Sequence, residues 1–337
     1  MIEKSTDCLP KDVVRILTSN RHLLLANLLA TLVCINGCSG EGSDRVVSKS
    51  TEVVSLSDHS VNDRPIHVVA TYSILGDWVR TVGGDRIKLT ILVGPQGDAH
   101  TYEPTPQDSV ALNEADILFE NGLGFEVWLD RLFEASDSSA KRVVVTDSIQ
   151  PRELVFSDSR TEIDPHVWHL PENAKLMVES IMLALESVDP DHTAEYRSRH
   201  QAYVAKLNQL DDWISQQASS IPNGRRKIVT THDTFGYLAD AYDFEVISVL
   251  GSVSSESSDP SASQVAAVIE QINNLKIPAI FAENILNPKL TQKIAEEAGV
   301  KIVPTLFTDA LGPADSQGHD YIAMMRYNVK TITESLR

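Results

Sequence analysis

Short segments rich in β-branched residues alternate with helix-like segments in two separate stretches of this chain, and this alternation constrains the fold most. The first stretch contains four predicted strands, at Ile66–Ala70, Ile87–Val93, Asp116–Glu120 and Arg142–Thr146. The second contains four more, at Lys227–Thr231, Glu245–Leu250, Ala279–Glu283 and Lys301–Leu306. Strands that alternate with helices form mainly parallel sheets covered by helices. We therefore expect an α/β protein with two lobes, each a four-stranded, mainly parallel sheet with flanking helices.

A long helical segment without a stop signal lies between the two stretches. Asp189 and Pro190 provide an N-cap and a first-turn proline, and no helix-ending residue follows until Pro222. The apolar residues of this segment recur at the spacing of one buried stripe: Tyr196, Tyr203, Leu207, Leu210 and Ile214. A helix of about 30 residues is about 45 Å long. It can bridge both lobes as a rigid strut, which would limit hinge closure.

The first residues of the chain are predicted to direct export. Basic residues precede the apolar run Leu23–Ile35, which is too short to cross a bilayer, where a helix needs about 20 residues. The run leads into Ile35-Asn36-Gly37-Cys38, which is similar to a bacterial lipobox in having a small residue before a cysteine to be acylated. The Ser/Asp/Gly-rich stretch that follows, Ser39–Arg64, is typical of a flexible tether. We therefore expect Cys38 to carry a lipid anchor.

These features divide the chain into five predicted parts. They are a signal peptide (1–37), a flexible tether (38–64), an N-terminal α/β lobe (65–188), a linker helix (189–221) and a C-terminal α/β lobe (222–337). The expected location is the periplasm or the cell surface, with the lipid holding the protein to the membrane.

The charge and cysteine content restrict the ligands. Lys and Arg number 29 against 47 Asp and Glu, which gives a net charge of −18. Such a surface attracts cations and does not suit the phosphates of nucleic acid. The cysteines are Cys8, Cys34 and Cys38, so the predicted lobes contain no thiol. A metal site in the lobes must therefore use histidines and carboxylates.

Several histidines and acids follow predicted strands, which is where open α/β sheets bind their ligands. The candidates are His100 after Ile87–Val93, His166 between the first stretch and the helices, His232 after Lys227–Thr231, and Asp309 after Lys301–Leu306. Three imidazoles and one carboxylate would make a four-ligand site for a first-row divalent metal ion. Because no position is then left for water unless Asp309 binds weakly, such a site favours carrying the ion over catalysis.

Each candidate also has an ordinary structural role open to it. His100 and His166 could be surface loop residues, and His232 and Asp309 could cap helices. His169 and Glu283 also remain candidates for the site. Sequence spacing alone does not favour either His166 or His169 as the ligand, and Glu283 ends a strand.

Four segments of the chain together carry a resemblance to a known family. They are Gly97–Pro106 (GDAHTYEPTP), Asp164–Trp168 (DPHVW), Thr231–Leu238 (THDTFGYL) and Thr308–Gly312 (TDALG). In this order they resemble the signature segments of the zinc/manganese solute-binding lipoproteins of ABC importers, and the likeness extends over residues 65–337. The resemblance implies two α/β lobes bridged by a rigid helix. It also implies metal ligation by His100, His166, His232 and Asp309.

The implied function is capture of Zn²⁺ or Mn²⁺ in the cleft between the lobes and delivery to an ABC transporter permease driven by its ATPase. The protein would then be a monomer with no catalytic residues and no nucleic-acid partner. Three nitrogens and one carboxylate suit zinc, and Mn²⁺ is the weakest binder of the divalent series. However, the segment Gln150–Ile163 lacks the histidines of many zinc-dedicated members, and availability in the cell could load manganese. The choice of metal stays open.

Three other functions compete with this interpretation. A binding protein for an organic or chelated solute, such as a siderophore, would be expected to have a basic or aromatic-lined cleft. A secreted zinc hydrolase would use Glu103 or Glu283 as general base, but no His-Glu-x-x-His motif is present. A cell-adhesion protein on the same scaffold would not need all four candidate ligands.

Overall fold

A computed structural model describes residues 64–155, 161–255 and 260–337. These residues all belong to one unit of the chain, residues 59–337. The predicted signal peptide, the predicted lipidation site Cys38 and nearly all of the tether lie outside the described residues. Among the described helices, none combines the length and the apolar character needed to cross a bilayer.

Four parallel strands form the sheet of the first half, in the order β2-β1-β3-β4. They are β1 (Ile66–Tyr72), β2 (Ile87–Val93), β3 (Ile117–Glu120) and β4 (Lys141–Val144). Three helices connect or follow them: α1 (Ser73–Gly83), α2 (Pro106–Asn113) and α3 (Leu129–Ala135). The central strands β1 and β3 are almost wholly buried, as expected for a parallel sheet covered on both faces. The predicted four-stranded sheet is confirmed.

An antiparallel hairpin of β5 (Arg152–Val155) and β6 (Thr161–Asp164) follows this sheet. The sequence pattern does not predict it, because strands of four residues with mixed polar and apolar side chains are too short to show a period. The hydroxyl of Tyr237, in the second half, accepts from the Arg152 backbone N–H and donates to the Asp164 carbonyl, both at 2.8 Å. The hairpin thereby contacts the second half of the chain.

Among its described residues, the second half contains the four predicted strands and four α-helices. The strands are β7 (Lys227–Thr230), β8 (Glu245–Ser248), β9 (Ala279–Glu283) and β10 (Lys301–Leu306). They are hydrogen-bonded as two parallel pairs, β7 with β8 and β9 with β10, and β7 lies beside β9. The helices are α6 (Gly236–Tyr242), α7 (Ala262–Leu275), α8 (Lys289–Ala298) and α9 (Tyr321–Leu336). The single four-stranded sheet that the sequence predicts for this half is thus present as two hydrogen-bonded pairs of strands, and each of the four strands ends in a loop.

Two long helices, α4 (Pro171–Val188) and α5 (Thr193–Ser219), connect the halves, with a short 3₁₀ turn at Pro190–His192 between them. The 27 residues of α5 make it about 40 Å long. Its buried residues are the predicted stripe together with Ala218. Because α5 packs against α1 and α4 and also against α6 and α9, it contacts both halves. The predicted bridging helix is confirmed.

The main hydrophobic core is continuous across the two halves. It extends from the first sheet through α4 and α5 to residues of α9, such as Met324 and Met325. A smaller cluster lies among α7, α8 and the second set of strands, around Ile272, Ile280 and Ile294. The shared core fixes the loops at the ends of both sets of strands relative to each other.

Candidate metal centre

Four side chains from four different loops converge between the halves. His100 lies after β2, His166 after β6, His232 after β7 and Asp309 after β10. One nitrogen or oxygen atom of each lies within 4.8 Å of those of the other three. The structure thus brings together all four residues that the sequence predicts as candidate ligands.

The distances between the facing atoms match the space that one metal ion needs. Asp309 Oδ2 lies 3.1 Å from His232 Nε2, 3.4 Å from His100 Nε2 and 3.7 Å from His166 Nε2. The Nε2 atoms of His100 and His166 are 3.2 Å apart. A tetrahedral zinc site with bonds of about 2.0–2.1 Å has edges of about 3.4 Å. The four atoms can therefore surround an ion of this size.

The cluster is buried, with one side nearer to solvent. His166, His232 and Asp309 have no exposed surface, and His100 is 5% exposed. His100 also lines an open cavity of about 530 Å³, together with Tyr102 and Trp128. The His100 side is therefore the part of the cluster closest to water.

Carboxylates behind two of the imidazoles orient the rings. Asp164 Oδ1 lies 2.8 Å from His166 Nδ1 and also accepts the His166 backbone N–H. Glu283 Oε2 contacts His232 Nδ1 at 2.5 Å, and Glu283 Oε1 accepts the backbone N–H groups of Thr231 and His232. A proton on Nδ1 leaves the Nε2 lone pair free for a metal ion. In the neutral state that metal ligation requires, both rings can thus present an acceptor nitrogen to the centre of the cluster.

The buried charges shift the pKa values of all four residues. Burial lowers the pKa of His166, but Asp309 and the neighbouring carboxylate outweigh burial and raise it to about 9. For His232 burial is again outweighed by carboxylates, and its pKa lies well above the usual value. The pKa of His100 is lowered, because burial exceeds the opposing effect of Asp309. Burial would raise the pKa of Asp309, but His232 and His166 hold it well below its usual range, so this carboxylate is ionised.

Further residues lie around the cluster, and the sequence singles out His169 among them. His169 is fully buried but stands apart from the four, with its Nε2 3.2 Å from Thr234 Oγ1. Arg152 Nη1 lies 3.3 Å from Asp164 Oδ2, so it supports the carboxylate behind His166. The position of Asp164 two residues before His166 could have indicated its role. Thr234 and Arg152 give no such signal, because their partners are distant in the sequence.

Comparison with known proteins adds independent evidence. Residues 68–335 match the family model described as zinc-uptake complex component A, periplasmic (ZnuA). The manganese-binding lipoprotein MntA of Halalkalibacterium halodurans is 34% identical over 271 residues, which cover 80% of this chain and 88% of that protein. The zinc-binding protein TroA of Treponema pallidum is 33% identical over 292 residues, covering 85% of this chain and 93% of TroA.

The fold gives the same result as the sequence. The solved structure of TroA from Treponema pallidum superposes with a TM-score of 0.75 at 33% identity, covering 81% of this chain and 99% of that one. The likeness carried by the four sequence segments is thus matched by the family model, by relatives that cover 80–85% of the chain and by the solved structure of TroA. This chain belongs to the family of periplasmic zinc-uptake complex A components.

Proposed function

We propose that this protein is the extracytoplasmic solute-binding component of an ABC metal importer. It binds one zinc or manganese ion between its halves through the four clustered residues and delivers the ion to a permease driven by a cytoplasmic ATPase. The observation that carries the proposal is the convergence of four buried ligand atoms from four loops on one ion-sized space. The names of MntA and TroA, a manganese-binding and a zinc-binding protein, support the same class of solute.

The ligand set supports capture of the ion rather than hydrolysis. Three imidazoles and one carboxylate supply the four donors of a closed zinc site, whereas catalytic zinc keeps a position for water. The alternative general bases are poorly suited to that role. Glu283 already accepts two backbone N–H groups and contacts His232, and Glu103 is exposed on the loop beyond His100.

The dimensions of the cluster favour a bare ion over an organic or chelated solute. Four of the six distances between the ligand atoms are 3.1–3.7 Å, and all of them are within 4.8 Å, which leaves no room between the atoms for an organic molecule. The ion is therefore proposed to arrive without its chelator. Nitrogen donors suit zinc, and the order of divalent affinities places Mn²⁺ lowest. We accordingly expect tighter binding of zinc than of manganese to the purified protein.

We further propose that the chain is exported, acylated at Cys38 and held at the membrane by the tether 38–64, with lobes over 65–188 and 222–337 joined by the linker 189–221. The lipoprotein name of MntA supports the anchor. All four candidate ligands come from one chain, so the site is complete in a monomer. The acidic surface, with a net charge of −18, favours cations over nucleic acid.

Elemental analysis of the protein purified from its native envelope without added metal tests the proposal. We expect one zinc or manganese ion per chain. His232→Ala should weaken zinc binding at least tenfold, which is about 1.4 kcal/mol. The second half then supplies one candidate ligand, Asp309, instead of two. The exposed His319 offers a matched control, and His319→Ala should bind like the parent. A co-purified organic solute without metal, or parental affinity in His232→Ala, would contradict the proposal.

A further inference from the structure

The two carboxylate oxygens of Asp309 have different surroundings. Oδ2 faces the Nε2 atoms of the three clustered imidazoles. Oδ1 instead accepts a hydrogen bond from the hydroxyl of Thr234 at 3.1 Å. Both residues are completely buried, so water does not compete for this bond. One oxygen therefore faces the ion position and the other is occupied by a donor from the protein.

The hydroxyl of Thr234 is itself held by His169, whose Nε2 lies 3.2 Å from Thr234 Oγ1. A hydroxyl has a single proton to donate. When Thr234 gives that proton to Asp309, the Nε2 atom of His169 must carry the proton of the second bond. The other ring nitrogen, Nδ1, is buried and has no hydrogen-bond partner among the described residues, which fits a neutral ring with its proton on Nε2. Burial also lowers the pKa of His169 to about 3, so the ring is uncharged.

Aromatic packing fixes both ends of this hydrogen-bond chain. The ring of His169 packs against Phe235, with ring centroids 4.4 Å apart, next to Thr234 in the sequence. On the other side, Trp168 Nε1 donates to the carbonyl of Thr308 at 2.9 Å, immediately before Asp309. Thr234 is thus held by His169, and the segment that carries Asp309 is held by the adjacent Trp168. Rotation of the carboxylate would break the hydrogen bond from Thr234.

We propose that Thr234, oriented by His169, holds Asp309 in coordination through one oxygen and thereby biases the site toward zinc over manganese. The inference rests on the proposed function and deepens it. One oxygen and three imidazole nitrogens make four donors, the number that zinc usually takes in proteins. Manganese is a harder ion that favours oxygen donors and six-coordinate sites, so it gains more from a second carboxylate oxygen. Thr234 and His169 are positioning residues and do not touch the ion.

Replacement of Thr234 by valine keeps the branched shape and removes the hydroxyl. Oδ1 of Asp309 then lacks its donor and can turn to the ion as a fifth ligand atom. We expect the ratio of zinc to manganese affinity, measured by competition titration, to fall about tenfold. Thr234→Ser retains the hydroxyl and should keep the parental ratio. His169→Phe leaves the hydroxyl without its orienting partner and should shift the ratio in the same direction by a smaller factor.

Cobalt(II) provides a spectroscopic readout that a general loss of stability does not imitate. The visible absorption of bound cobalt weakens when the number of ligand atoms rises from four to five, because the coordination geometry changes. We expect intense four-coordinate bands for the parent protein and Thr234→Ser, and weaker bands for Thr234→Val. If the valine variant fails to fold, Thr234→Ala removes the same hydroxyl with less bulk and is measured instead.

The outcomes separate this inference from the proposed function. Weak five-coordinate bands in the parent protein would overturn the inference that Thr234 keeps Asp309 coordinated through one oxygen. An unchanged spectrum and an unchanged zinc-to-manganese ratio in the hydroxyl-free variant would overturn it as well. In both cases the protein still binds metal, so the proposed function would stand. Failure of the parent protein to bind zinc, manganese or cobalt at all would instead contradict the proposed function and, with it, this inference.

Discussion

Among single residues, Glu283 shows how one buried carboxylate organises a candidate metal ligand. Its Oε1 accepts the backbone N–H groups of Thr231 and His232, at 2.6 and 3.1 Å, and its Oε2 contacts the ring of His232. The carboxylate therefore positions the loop after β7 and also the imidazole that the loop carries. A negative charge behind an imidazole makes its other nitrogen a better metal ligand.

Glu283→Gln tests the electrostatic part of this role. The amide oxygen can still accept the two backbone N–H groups, but the negative charge beside His232 is lost. We expect metal affinity to fall about 10- to 100-fold with little change in fold, as measured by titration against a chelator and by circular dichroism. The matched control is Glu103→Gln, because Glu103 is an exposed acid that lines the cavity beside His100. Parental affinity in Glu283→Gln would show that the charge does not act on the ligand.

At the scale of helices and strands, the start of α9 depends on acids from two parts of the chain. Asp320 caps the helix by accepting the Ala323 N–H at 2.7 Å. Asp77, on α1, accepts the N–H of Tyr321 at 3.1 Å. Burial, aided by the nearby charge of Asp320, raises the pKa of Asp77 from 3.8 to about 6. The folded protein therefore binds the Asp77 proton more tightly than the unfolded chain does.

This shift predicts how stability depends on pH. The favourable contribution of the protonated Asp77 is complete below about pH 4 and is lost as the pH rises through about 6. Asp77→Asn keeps an acceptor for Tyr321 and removes the charge, so it should raise the free energy of unfolding at pH 7.5 by at most about 3 kcal/mol. The gain should vanish near pH 4. Urea unfolding of the metal-free protein at both pH values measures this, with the exposed Asp315→Asn as control. A loss of stability at pH 7.5 would mean that the helix terminus favours the charged acid.

The elements were largely predictable from the sequence, whereas the contacts that complete the site were not. The strands before His100, His232 and Asp309 show clear β-branched runs, and parallel topology gathers their ends at one edge. The bond between Thr234 and Asp309 joins residues 75 positions apart, and its existence depends on how the two halves pack. The strands of the hairpin β5–β6 are too short for an alternation of apolar and polar residues to be recognised. Local patterns therefore indicated the candidate ligands but not most of the groups that orient them.

At the scale of the whole molecule, α5 is attached to both halves. Near its start, Arg199 donates to the Gly83 carbonyl at the end of α1 at 3.2 Å. Just past its end, Ser220 Oγ accepts from Arg337 at the end of α9 at 2.7 Å. Between these points its apolar stripe is buried in the core shared by the halves. Bending α5 would expose this stripe, so wide hinge opening is costly.

Small-angle X-ray scattering of the metal-free and zinc-loaded protein tests the role of α5. Because the helix keeps the halves at a fixed separation, we expect the two scattering curves to superimpose within error. Elemental analysis of the same samples verifies that one is empty and the other loaded. A clear decrease in the radius of gyration on loading would indicate hinge closure and would contradict the role of α5 as a strut.

One divalent transition-metal ion is expected to bind between His100, His166, His232 and Asp309. A crystal structure of the zinc-loaded protein, with anomalous diffraction recorded at the zinc absorption edge, locates this ion. We predict a single strong anomalous peak within bonding distance of the three Nε2 atoms and of Asp309 Oδ2. A peak at another place, or no peak between these four residues in a sample shown to contain zinc, would contradict it.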